Sequence, residues 1–149
     1  MLTEKNILEI AHDALRTFKI RCEVKFLSYN QYMQVAKESP LISQVIDDGF
    51  TFEELKIPAL VKHDLKEHIY LSKKIITSLL KNKPVKMQKQ FIKAMLYHEL
   101  FHIRYRNQIK KANYLECQKS EAIVCKEFEK EHPDLYKIGF EIHKKATEF

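Results

Sequence analysis

Glycine is almost missing from this chain: there are two in 149 residues. Sandwiches and barrels need many tight turns, which glycine serves best, so its scarcity favours a helix-dominated fold. Long apolar runs are missing too, and no stretch approaches the roughly 20 residues of a membrane-spanning helix. Met1 to Asn6 lack the basic-then-apolar pattern of a secretory signal. The cysteines, Cys22, Cys117 and Cys125, are odd in number and form no CxxC pair. Together these features lead us to expect a cytoplasmic protein with free thiols and no membrane association.

What is present is ordinary for a globular chain: 45% apolar and 31% charged residues. The length suits one domain over residues 1–149, with a core that needs no staples. The net charge of +6 comes from lysines spread along the sequence. They form no dense basic stripe with interleaved aromatics, and no helix-turn-helix or zinc-finger spacing occurs. A solvated surface is expected, without a specific nucleic-acid partner.

The hydrophobic pattern predicts a helix from Thr3, as N-cap, to Phe18, a strand over Ile20 to Leu27, and a short helix over Asn30 to Lys37. Glu38 to Pro58, with Pro40 and Gly49, reads as loop with short pieces of structure. Ala59–Val61 and His68–Leu71 read as a hairpin around His63–Lys66. Helices are then expected over Ser72–Leu80, Met87 to about Asn107, Asn113–Glu131 and Pro133–Ala146, with Asn113 and Glu116 in capping-box relation. The expected class is α+β: a helix-dominated domain with a small antiparallel or mixed sheet.

Within the fourth predicted helix stands His98-Glu99-Leu100-Phe101-His102, an HExxH motif. Residues four apart on a helix share a face, so both imidazoles can reach one metal. Glu99, about 100° round, falls beside the metal, where it can take a proton from water activated by zinc. Phe91, Ala94, Met95, Phe101 and Tyr105 fall near the histidine side, and Ile92, Leu96, Leu100 and Ile103 roughly opposite. A helix apolar on two sides lies between two layers, where polar side chains need partners. The plain alternative is a pair of hydrogen-bonded helix histidines.

A catalytic zinc takes three protein ligands. Of the five glutamates on the next helix, Glu121 alone projects to the centre of an apolar stripe with Tyr114, Cys117, Val124, Cys125 and Phe128. Such a glutamate needs a cation. The alternative is a buried carboxylate satisfied otherwise.

His98-Glu99-xx-His102 followed by Glu121, 19 positions on, resembles the gluzincin metallopeptidases. The element order is similar to the compact minigluzincins and the intracellular phage-repressor-cleaving metallopeptidases. The motif resemblance covers about Phe91 to Phe128. It implies zinc ligands at His98, His102 and Glu121, Glu99 as general base and acid, and a peptide or protein substrate. Gluzincins often carry a small or acidic residue four positions after the ligand glutamate, supporting the first histidine. Here Cys125, a poor acceptor, stands there. The resemblance also implies an oxyanion donor, for which Tyr114, His132, Tyr136 and His143 stand open, with Tyr114 and Tyr105 read as core or rim aromatics. It implies a substrate-pairing sheet edge, read at Ile69–Leu71, and a terminal segment occupying the cleft, read at the first helix or Lys144–Phe149. His63 and His68 are expected to face solvent. Cys117 and Cys125 read as small buried hydrophobes, and an inhibitory zinc ligand at Cys22 is a further alternative. The competing reading is a non-catalytic, zinc-stabilised binding or regulatory module.

Overall fold

The computed structural model describes residues 1–63, 66–107, 111 and 113–147, with His63 described in its backbone alone. The elements run α1 (Glu4–Phe18), β1 (Glu23–Phe26), α2 (Tyr29–Lys37), α3 (Pro40–Asp47), α4 (Phe52–Leu55), β2 (Ala59–His63), β3 (Glu67–Leu71), α5 (Lys73–Leu80), α6 (Val85–Arg104), α7 (Tyr114–Glu131) and α8 (Pro133–Thr147). This is the expected α+β class, with helices dominant and a small mixed sheet.

Local chemistry sets most boundaries. Thr3 accepts from the backbone N–H of Asn6, whose side chain answers the Thr3 backbone, so α1 begins at Glu4. Ser28 with Gln31 and Thr51 with Glu54 repeat the device for α2 and α4. At α7 only half of the expected box forms. The Asn113 side chain accepts from the Glu116 N–H, but the Glu116 carboxylate takes the Asn113 side-chain amide instead of its backbone. Asn82, at φ 63°, turns the chain between α5 and α6 in the left-handed region that asparagine tolerates.

The stretch read as loop with fragments holds two helices. Pro40 occupies the first turn of α3, where a missing N–H costs nothing, and Ile42 carries its buried face.

The sheet order is β1-β3-β2, with β3 parallel to β1 and antiparallel to β2. The hairpin is present in its strands; Asp64 and Leu65 of its turn lie outside the described residues. β3 is therefore the central strand, which corrects its reading as a sheet edge: Val24 and Val61 flank Ile69 on either side. Among the described residues the edges belong to β1 and β2.

α6 forms the centre of the core. Phe91, Ile92, Leu96, Leu100, Phe101 and Ile103 are all buried, on both sides of the helix as expected. α1 covers one side through Phe18, whose ring meets Tyr97 and Phe101 edge-on at 4.8 and 5.4 Å. α8 crosses α6 closely: a Cβ at Gly139 would lie 3.0 Å from that of Ala94. Among the described residues no helix is long and apolar enough to cross a membrane.

Candidate metal centre

The four-residue spacing on α6 places the His98 and His102 rings 5.0 Å apart by centroid, with their Nε2 atoms 3.1 Å apart. Glu121 reaches across from α7. Its Oε1 lies 2.7 Å from His102 Nε2 and its Oε2 3.2 Å from His98 Nε2. The structure thus brings the three predicted ligands to one point. Donors held tetrahedrally at about 2.0–2.1 Å from zinc stand about 3.3 Å from one another. The separations of 3.1 and 3.2 Å fall within a few tenths of an ångström of that, the 2.7 Å one is about 0.6 Å shorter, and two imidazoles with one carboxylate form a donor set suited to a catalytic zinc. The residues fit the ion.

The projection of α7 needs one correction. Its buried face is Cys117, Ser120, Val124 and Phe128, so Glu121 lies on the flank of the apolar stripe instead of its centre. That flank faces a cleft of about 730 Å³ between α6, α7, α8, α3 and β2. The Glu121 side chain is 38% exposed and His102 only 5%, so the carboxylate closes over a histidine sunk in the floor.

Burial and pairing set the charges. Burial works against a charged His98, but hydrogen bonding and attraction from Glu121, with Glu99 adding, lift its pKa to about 9. Burial lowers His102 to about 4 despite its bond to Glu121. Burial also opposes ionisation of Glu121, yet the two histidines hold it well below the usual carboxylate range. Burial lifts Glu99 to about 7, against the pull of His98. Glu99 lines the cleft floor beside the ligand cluster.

Lys111, which the sequence pattern did not single out, completes the cluster. Its Nζ lies 2.9 Å from His102 Nδ1. An ammonium only donates, so Nδ1 accepts and the ring proton sits on Nε2, donated to Glu121. Burial lowers the Lys111 pKa, while Glu99 and Glu121 pull it upward. Lys111 stands in the connection between α6 and α7, where no periodicity marks it.

The remaining residues sort by position. Tyr136 and His143 line the cleft. His143 Nε2 also lies 3.1 Å from the Leu55 carbonyl. Tyr114 bonds Gln118, His132 packs edge-on against Tyr97, and Tyr105 stacks on Phe101, so these three serve local structure. His68 does not face solvent: its side chain is 17% exposed and bonds Glu23 at 2.9 Å. The side chain of His63 lies outside the described set. Cys22 packs against the core. Cys117 is buried as expected, with its thiol 3.6 Å from the Lys111 carbonyl. Cys125 is half-buried on the cleft wall, 3.9 Å from Glu121 Oε2, so the buried-hydrophobe reading fails for it.

Of the two ends considered as cleft-filling segments, α1 lies away from the cleft, and α8 contributes a wall through Tyr136, Phe140 and His143. Glu148 and Phe149 lie outside the described residues. No protein-family model matches this chain, and no curated protein or solved structure is significantly similar to it, which leaves the chemistry of the cluster to carry the functional reading.

Proposed function

We propose that this chain is a zinc-dependent peptidase of the gluzincin type, with His98, His102 and Glu121 holding the ion and Glu99 as general base. One observation carries the reading. A glutamate from a separate helix sets its two oxygens 2.7 and 3.2 Å from the Nε2 atoms of an HExxH pair. Zinc held there supplies Lewis acidity, polarising a carbonyl and lowering the pKa of water towards ~7. Glu99 takes a proton from the attacking water and returns it to the leaving amine. Its carboxyl lies on the cleft floor beside the ligand cluster, placed for both transfers.

The cleft supports a chain-like substrate. β2 is an edge strand, and Ala59 to Lys62 line the cleft beside the ligands, so an extended peptide can pair along it. Leu41, Ile42, Ile57, Met95 and Phe140 give the walls apolar surface for side chains.

The test is metal analysis of wild type and Glu121→Ala, together with cleavage of an unstructured protein by wild type and Glu99→Ala. We expect one zinc per chain in wild type, its loss in Glu121→Ala, and a fall in cleavage of about 10²-fold or more in Glu99→Ala with zinc retained. Equal cleavage by the Glu99→Ala protein ends the peptidase reading.

The proximity of Cys125 favours a second reading, a non-catalytic zinc-stabilised regulatory module, because closed four-ligand shells are typical of structural sites. Under it, Glu99→Gln leaves function unchanged.

A further inference from the structure

Each of two facing helices offers a pair of donors one turn apart. α6 carries His98 and His102, and α7 carries Glu121 and Cys125. The Cys125 Sγ, a Glu121 carboxylate oxygen and a His98 ring nitrogen all lie within 4.8 Å of one another. With zinc bonded to sulfur at about 2.3 Å and to oxygen at about 2.0–2.1 Å, the two donors stand about 3.6 Å apart. Cys125 Sγ lies 3.9 Å from Glu121 Oε2, a few tenths of an ångström longer. A residue supporting His98 from behind would lie away from the other donors, whereas this sulfur lies on the side shared by His98 and Glu121. Cys117 differs, with its thiol turned to the Lys111 carbonyl.

We infer that Cys125 is a fourth protein ligand of this centre and closes it in the resting protein, so that the peptidase is latent until the sulfur leaves. The inference rests on the zinc-peptidase reading. Ligation breaks the S–H bond, sends the proton to solvent and forms one sulfur–zinc bond in the position otherwise open to water. The oxidation state of neither atom changes. Tyr136 lines the same cleft as Cys125.

The test loads the full chain with cobalt in place of zinc, recording its absorption spectrum, and measures X-ray absorption of the zinc form. Wild type is expected to show a thiolate-to-cobalt charge-transfer band and one sulfur at about 2.3 Å from zinc. The band should vanish in Cys125→Ala and persist in Cys117→Ala, and Cys125→Ala should cleave an unstructured protein several-fold faster than wild type. A metal bound one per chain with nitrogen and oxygen neighbours alone overturns the inference and leaves the peptidase proposal standing. A band that survives Cys125→Ala and disappears with Cys117→Ala also overturns it. Failure of wild type to take up either metal sinks both readings together. X-ray absorption on wild type needs no variant, so a misfolded Cys125→Ala cannot shelter the claim.

Discussion

Two demands meet on the ring of His102. To hold zinc through Nε2, the neutral imidazole must carry its proton on Nδ1. Lys111 faces that same Nδ1 at 2.9 Å with a group that only donates. The two arrangements exclude each other, so metal uptake must turn Lys111 away or strip its proton, and burial already lowers its pKa. A unit charge facing a dication in partly screened surroundings costs on the order of 1–3 kcal/mol. Replacing Lys111 by methionine keeps the aliphatic stem and removes the charge. Lys111→Met is expected to tighten zinc binding by about tenfold or more, about 1.4 kcal/mol, read by competition with a chromophoric chelator at fixed pH. Unchanged or weaker binding would show that Lys111 does not oppose the ion.

At the scale of elements, the crossing of α6 and α8 sets one wall of the cleft, and Gly139 allows it. No side chain stands between Gly139 and the Ala94 Cβ, which a new Cβ would approach to 3.0 Å. Gly139→Leu should gain about 1 kcal/mol in helix propensity yet lose about 1–3 kcal/mol through overpacking. The net expectation is a lower denaturation midpoint in urea and, because Gly139 lines the cleft, a changed KM for peptide cleavage. A variant more stable than wild type would show that α8 yields freely. Elements were legible in the sequence wherever the signal was local. Thr3, Ser72 and Pro133 mark three helix starts correctly, because a cap or a first-turn proline acts within a few residues. The order of the strands was not legible. β3 is short and apolar enough to pass for an edge, and what makes it central is its pairing with a strand more than forty residues away, as in His68 with Glu23. α3 was hidden because proline breaks a helix inside and begins one outside, and Pro40 alone does not say which. At the site, His98, His102 and Glu99 follow from one helical period. Glu121 follows from a projection whose centre lay about one residue off. Lys111 and the placement of Cys125 beside His98 and Glu121 come from a connection and an interhelical distance that no periodicity encodes.

For the molecule as a whole, the zinc proposal raises the question of how much stability such an ion would add. α6 is buried on both sides by apolar side chains. The fold therefore has a core independent of zinc, unlike a small domain whose only core is its metal site. On the zinc proposal, an ion that binds the folded cluster and not the dispersed residues of an unfolded chain would stabilise by mass action, by about 2.7 kcal/mol at a free concentration a hundred times Kd. For a chain of this length each kcal/mol moves the midpoint by about 2–4 °C, so zinc should raise Tm by about 5–11 °C and a chelator should reverse the rise. Circular dichroism during the chelator titration should show helix retained at 25 °C, since removing the ion lowers stability without dissolving the core. Glu121→Ala should lose most of the zinc-dependent rise, because one of the three ligands is gone. An equal rise in that variant would place the stabilising ion elsewhere on the surface, and unfolding on chelation at 25 °C would make the metal part of the core itself.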